Sequence, residues 1–353
     1  EFSVYYKVLR GLLACSLAMT VFAPMALAAN AENQSWLDRT DLIIKAQENR
    51  KPQFAVKTLQ PINHYDKNSK GLLFLQGKIT SHGGDANRLN DYTEQGILTN
   101  QIYLHRINQS YESIGTTGSI GLGYRHLSQG QHSYVGLNTF YDQAFQDHYK
   151  RGSLGAEYVN GENKVYSNIY KNLGSNQKHY SERKVDEAYS DEIPVVGGVQ
   201  DTDVNLVHMG QGQVASGYDI GYERTFKNAR YLRAYINRYH QNLKGGPYLA
   251  ASGLLVGRAS NSVDGYQLGI AINLTPQLSI NTGYDKAFHH SGDFYLEARY
   301  TLGKSKHALW GDSHRDTEVT TARSKMLDKV ERTDMKVSQY EGEYHIHVPH
   351  DHV

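Results

Sequence analysis

From Asp41 to Leu302 apolar residues recur at every second position in short runs, the pattern of strands whose two faces meet different surroundings. Tyr266, Leu268, Ile270, Ile272 and Leu274 fall on one face of such a run, and Gln267, Gly269, Ala271 and Asn273 on the other. The same dyad runs through Phe294/Leu296/Ala298/Tyr300/Leu302, Ile120/Leu122/Tyr124, Leu154/Ala156/Tyr158, Tyr218/Ile220/Tyr222 and Leu278/Ile280/Thr282/Tyr284. The spacing predicts twelve strands, near 41–48, 53–61, 71–81, 116–127, 132–143, 150–159, 164–173, 216–225, 230–240, 263–274, 277–286 and 293–302.

The connections sort by length. Those after strands two, four, six, eight and ten are short (Asn63–Lys70, Ser128–Gln131, Asn160–Asn163, Phe226–Ala229, Thr275–Pro276), whereas His82–Gly115, Gly174–Ala215 and Gln241–Ser262 are long. Small and charged residues share the polar face, and aromatics close many apolar rows. A soluble sandwich has no reason to segregate loop lengths in this way. A transmembrane barrel does: apolar outward to lipid, polar or small inward, short turns in the periplasm and long loops outside. In hydrocarbon every backbone group must be paired, so a closed barrel is the β solution. The fold class expected is therefore all-β, an antiparallel outer-membrane barrel spanning 41–302.

Composition narrows the alternatives. The apolar fraction is 39%, and beyond the N-terminus no window nears the ~20 apolar residues of a spanning helix. A formal net charge of +1 argues against a dedicated nucleic-acid binder. The single Cys15 excludes a disulfide scaffold or a multi-Cys metal centre. Lys7 and Arg10, the apolar run Gly11–Ala23 and Ala26-Leu27-Ala28 read as a secretory signal over 1–28, although the chain opens on Glu1 and not Met. A periplasmic segment is expected over 29–40, and a linker with a His-rich tail over 303–353. The 27 Tyr and 33 Gly suit rim aromatics and small lumen-facing positions.

Several motifs, in order, carry a resemblance. They are Ser35-Trp-Leu37, Leu72-Leu-Phe-Leu-Gln76, Gly121-Leu-Gly-Tyr-Arg125, Gly136-Leu-Asn-Thr-Phe-Tyr-Asp142, Arg151-Gly-Ser-Leu-Gly-Ala-Glu-Tyr158, Ser216-Gly-Tyr-Asp219 and Leu274-Thr-Pro-Gln-Leu278. Leu327-Asp-Lys-Val-Glu-Arg332 and Met335-Lys-Val-Ser-Gln-Tyr340 follow past the last strand. Together, over about 33–342, they resemble the β-domain of inverse autotransporters, the intimin and invasin family. The resemblance implies a twelve-stranded barrel that anchors and translocates surface-exposed sequence, with secretion and adhesion as its setting. It also implies a helix and an extended linker, with residues around 318–332 expected in the barrel mouth and 333–342 extended through the lumen; Val330, Arg332, Met335, Val337 and Tyr340 are the linker residues singled out. Arg125, Asn138, Asp142, Glu157, Asp219, Glu223, Arg233, Glu297 and Arg299 fall on the inward face, where both signs of charge can hydrogen-bond an extended backbone.

The family's immunoglobulin-like repeats are not seen before Val353, no LysM-like segment precedes strand one, and the loops 82–115 and 174–215 look longer than usual. Three expectations stay open: a truncated adhesin, a barrel exporting a separately encoded partner, or long loops that themselves bind a host-cell or cell-surface ligand. A porin-like channel is the alternative, with Gly174–Ala215 as its constriction. Other expected partners are outer-membrane lipid and lipopolysaccharide, the barrel-assembly machinery and periplasmic chaperones; no nucleic acid and no cofactor are expected. Metal binding is suggested by His345, His347, His350 and His352, whose imidazoles suit Zn, Cu or Ni. Asp142, Asp147, His148, Asp285, His289 and His290 fall near predicted outer ends, the minor reading of a rim hydrolase. No Gly-x-Ser-x-Gly elbow or His-Glu-x-x-His supports it, and no catalytic residue is assigned.

Overall fold

The computed structural model describes residues 36–48, 50–66, 68–83, 85–90, 107–146, 148–174, 180–182, 190–195, 198–249, 255–287, 292–303, 308–310 and 322–349. The signal expected over 1–28, with Cys15, and Asp147, His289, His290, His350 and His352 lie outside them.

Among the described residues, twelve strands follow one another around a closed antiparallel barrel: β1 (Thr40–Gln47), β2 (Gln53–Pro61), β3 (Gly71–Thr80), β4 (Thr117–Leu127), β5 (Ser133–Ala144), β6 (Lys150–Asn160), β7 (Asn163–Asn172), β8 (Ser216–Phe226), β9 (Ala229–Leu249), β10 (Leu255–Asn273), β11 (Leu278–Ala287) and β12 (Asp293–Thr301). The seam is β1 against β12, from Asp41 opposite Thr301 to Gln47 opposite Tyr295. Closure leaves no open edge, the condition that a lipid environment imposes on strands. The twelve strands expected from the dyad pattern all occur. Two run longer than expected: β9 and β10 continue as a hairpin, so 241–262 is mostly strand.

Alternation sets the two surfaces. Leu122, Leu137, Leu154, Ile169, Ile220, Leu268 and Leu296 face outward, with Leu137 69% and Leu154 67% exposed. Exposure of this kind would be costly in water, at about 25 cal/mol per Å² of apolar surface, and is favourable against acyl chains. Facing inward, buried side chains are largely polar, among them Arg125, Asp142, Arg151, Glu157, Asn168, Asp219 and Gln76.

Inward glycines make room for aromatic rings. A Cβ on Gly123 would collide with the Phe74 ring, and one on Gly121 with Phe140. Phe74 stands opposite Gly123 across β3 and β4, and Phe140 opposite Gly121 across β4 and β5. Gly123→Val is expected to lower stability by about 1–3 kcal/mol, since overpacking forces rings or backbone to shift. The measurement is the temperature at which the compact, heat-resistant gel band of the folded barrel disappears, which should fall.

A second sheet was not foreseen. Strands Asp85–Asn90, Ile107–Ser113, Tyr180–Glu182, Ser190–Val195, Gly198–Val214 and Lys336–Pro349 pair with one another at the long-loop end. The tail strand 336–349 lies antiparallel to 198–214, with Thr202 opposite Pro349 and Val214 opposite Val337, and parallel to 85–90. Residues read as loop and as linker tail are thus in part sheet. The tail strand does alternate in sequence, Tyr344, Ile346 and Val348 against Glu343, His345 and His347, a short dyad beyond the last barrel strand.

Candidate functional site

After β12 the chain passes beneath the short-turn end, where Leu309 N and Trp310 N donate to Asn273 O and Leu274 O, both at 2.9 Å. It then enters the barrel. Where a helix was expected over 318–332, the described part, from Ala322 on, holds a single 3-10 turn, Ala322–Lys325, because Met326, Leu327 and Val330 are too few to nucleate more. Ala322, Met326 and Val330 are buried among Leu59, Tyr65, Leu72, Phe74, Leu127, Tyr134, Phe140 and Val159. Arg323 fastens this turn to the β2–β3 connection, donating to Asp66 O at 3.1 Å and Ser69 O at 2.9 Å. That connection is itself tight: hydrogen bonds from Ser69 and Asn68 hold the Asp66 carboxyl below its usual range.

From Met326 to Met335 the backbone runs extended through the lumen, and the barrel wall supplies the partners a sheet would otherwise give. Arg125 Nη1 donates to Met326 O (2.5 Å) and Asp328 O (2.6 Å). Val330 N donates to Gln76 Oε1 at 2.7 Å, and Lys57 Nζ donates to Val330 O at 3.1 Å. Asn168 Nδ2 donates to Glu331 O at 3.0 Å, and Arg151 Nη2 to Thr333 O at 2.8 Å. Thr333 donates from its amide to Tyr170 Oη (2.9 Å) and from Oγ1 to Asp219 Oδ2 (2.6 Å). A buried backbone without such partners would cost several kcal/mol.

Charges reinforce these bonds. Arg332 meets Asp142 with both terminal nitrogens, at 2.9 and 2.7 Å, and lies 4.1 Å over the Phe140 ring. Arg151 binds the same carboxylate at 2.8 Å. Lys329 pairs with Asp41 at 2.9 Å, and Asp41 also accepts from Thr301 Oγ1, so the segment is pinned to the seam. Lys78 pairs with Asp334 at 2.7 Å. At the exit, Met335 and Val337 pack with Ile114, Ala144 and Val214. One side of the lumen stays open, a cavity of about 170 Å³ bordered by Lys57, Glu223, Arg233, Tyr295, Glu297 and Arg299.

The structure brings the inward residues singled out from sequence to one lumen. Arg125 and Glu157 pair at 2.5 Å, Arg233 and Glu223 at 3.3 Å, Arg299 and Glu297 at 2.8 Å; Asn138 and Asp219 are buried. Val330, Arg332 and Met335 lie on the crossing. Val337 and Tyr340 do not run through the lumen: they belong to the tail strand, because the crossing is complete by Met335 and 336–349 pairs as sheet. Asp142 and Asp285 sit near the outward ends of β5 and β11: Asp142 holds two guanidiniums, and Asp285 accepts from Tyr239 Oη at 2.9 Å. His148 sits in a turn at φ 57°. Sequence reasoning missed Lys57, Gln76, Arg151, Asn168 and Tyr170. Alternation alone places Arg151 inward on β6, directly opposite Asp142 on β5. His345 and His347 lie on the tail strand.

No curated protein matches the chain. Among solved structures, a membrane protein from work on in-meso crystallization is 13% identical, with a TM-score of 0.49, over 85% of this chain and 99% of the other. Outer membrane phospholipase A from Escherichia coli is 9% identical, with a TM-score of 0.35, over 76% and 90%. The translocator domain of the autotransporter NalP from Neisseria meningitidis is 9% identical, with a TM-score of 0.27, over 81% and 95%. The inverse autotransporter β-domain family matches residues 85–334, a stretch that begins in the second sheet and ends inside the lumen on the segment the wall residues hold. The chain belongs to the inverse autotransporter β-domain family, an outer-membrane barrel.

Proposed function

We propose that the barrel anchors and exports the sequence that follows its last strand, presenting it on the cell surface without catalysis or cofactor. One observation carries this reading: the chain leaves β12 at the short-turn end and reappears, after the crossing at 326–335, as a strand among the long connections. Barrel asymmetry makes the short-turn end periplasmic and the long-loop end external. In this reading residues 1–28 direct export. The barrel-assembly machinery and periplasmic chaperones insert the barrel among outer-membrane lipid and lipopolysaccharide, and a host-cell or cell-surface ligand meets the external sheet. Arg125, Asn138, Asp142, Glu157, Asp219, Glu223, Arg233, Glu297 and Arg299 form the polar track, and Val330, Arg332 and Met335 the part of the exported segment held in it.

The test is a single cysteine at His350, reacted with a membrane-impermeant maleimide. Labelling in intact cells is expected. Protection in intact cells, with labelling only after the outer membrane is permeabilised, would contradict export. The porin-like alternative draws on the open cavity beside the crossing, and it requires a conducting full chain.

A further inference from the structure

The lipid-facing surface of the barrel carries two cations in register. Across β9, β10 and β11, Ile236, Leu268 and Tyr284 stand opposite one another in one outward row. The next outward row toward the long-loop end is Arg238, Tyr266 and Lys286, opposed across the same three strands. Residues directly opposed in an antiparallel pair share a face, as do residues two apart along one strand, so both cations stand outside the wall. Arg238 is exposed and Lys286 half-buried, and among the described residues neither side chain forms an ion pair. The row beyond holds Tyr218, His240 and Asp264. His240 stacks on Tyr218 at 5.3 Å and meets Asp264 at 3.0 Å, which engages that carboxylate with the imidazole. Tyr218, Tyr266, Tyr284 and Phe294 mark the aromatic girdle at the outer interface, where acyl chains give way to headgroups.

We infer that Arg238 and Lys286 form a site for the phosphates of one lipopolysaccharide molecule, with Tyr266 between them against its sugar headgroup. Barrel asymmetry puts the long-loop end outside, so this row faces the outer leaflet, where lipopolysaccharide carries its phosphates on a disaccharide. Neighbouring strands lie about 4.7–4.9 Å apart, so the two cations are rooted about 9–10 Å apart, two strand spacings. That separation lets each cation meet a different phosphate of one bis-phosphorylated headgroup, which a phospholipid with a single phosphate does not offer. A guanidinium grips phosphate through two parallel N–H donors, and an ammonium attracts it as a point charge. The long stems of both side chains cover apolar surface while their heads rise to the headgroup level. A lipid held here braces β9, β10 and β11, the strands that continue into or flank the long external hairpin. The inference rests on strand register and the outward face, and stands apart from the export reading.

The probe is bis-phosphorylated lipid A, added to the full chain folded in detergent micelles. The heat-resistant gel band is the folding check, and native mass spectrometry counts the lipid retained. One lipid A per chain is expected to be held. The double variant Arg238→Gln/Lys286→Gln should still fold but bind about tenfold more weakly or worse, through loss of charge-assisted bonds to phosphate. Arg224→Gln/Lys227→Gln, which removes two cations exposed at the short-turn end, should bind as the unaltered chain does. Lipid A stripped of its phosphates should be held no better by the unaltered chain than by the first variant. Undiminished binding by the first variant, an equal loss in the second, tight retention of the phosphate-free lipid, or displacement by inorganic phosphate would each overturn the site.

Discussion

Replacing Arg125 with Met is expected to free the luminal segment while leaving the barrel wall intact. Arg125 is fully buried, pairs with Glu157, lies 4.7 Å over the Phe74 ring, and is the donor to the carbonyls of Met326 and Asp328. Methionine keeps much of the packing but strips the charge. Glu157 is then left buried with Lys164 at 3.4 Å, and two carbonyls lose their donor. Removing one partner of a buried ion pair costs about 3–5 kcal/mol. The strands have their own ladders, so the loss should fall on the crossing. Arg323, Lys325, Lys329 and Arg332 lie in or beside it, and trypsin acting on the folded, micelle-bound chain reports its opening. Cleavage in 323–332 should be far faster in the variant; an unchanged rate would refute the role given to Arg125.

Asp142 should have an effect of similar size from the opposite sign. Its carboxylate accepts from Ser119 at 2.6 Å, from Arg151 at 2.8 Å and from Arg332 at 2.9 and 2.7 Å. Asp142→Leu leaves two buried guanidiniums side by side, one on the wall and one on the crossing, so their repulsion acts directly to expel the segment. A cost of about 3–5 kcal/mol is expected. Adding Arg332→Met should recover part of it, since the second substitution removes the stranded charge. A double-mutant cycle should give a coupling of roughly 0.5–3 kcal/mol. Additive losses would mean that the two residues do not act through one another.

The barrel was legible in sequence because lipid enforces alternation: a strand such as β6 must show Leu154 and Tyr158 outward while Ser153 and Glu157 point in. No residue between them can break step without placing a charge in hydrocarbon. The site was legible in part for the same reason, since alternation names every inward position. It does not say which of them touch the crossing. Gln76 and Asn168 are ordinary inward amides until Val330 and Glu331, 254 and 163 positions further along the chain, pass beside them. The exit point was misplaced because charged residues such as Lys336 look alike inside a polar lumen and in a solvated sheet. The second sheet was harder to read: Tyr344, Ile346 and Val348 alternate with Glu343, His345 and His347, but one short dyad does not name the strand it pairs with, here 198–214.

Occupation of the lumen by residues 326–335 is the centre of this mechanism, and single-channel conductance tests it most directly. The full chain and a chain ending at Gly303 would be folded in micelles, checked for the heat-resistant band, and inserted into planar bilayers. The full chain should stay closed or nearly so, and the shortened chain should open a large, steady pore. Equal conductance from the two would contradict the placement of the chain inside the barrel.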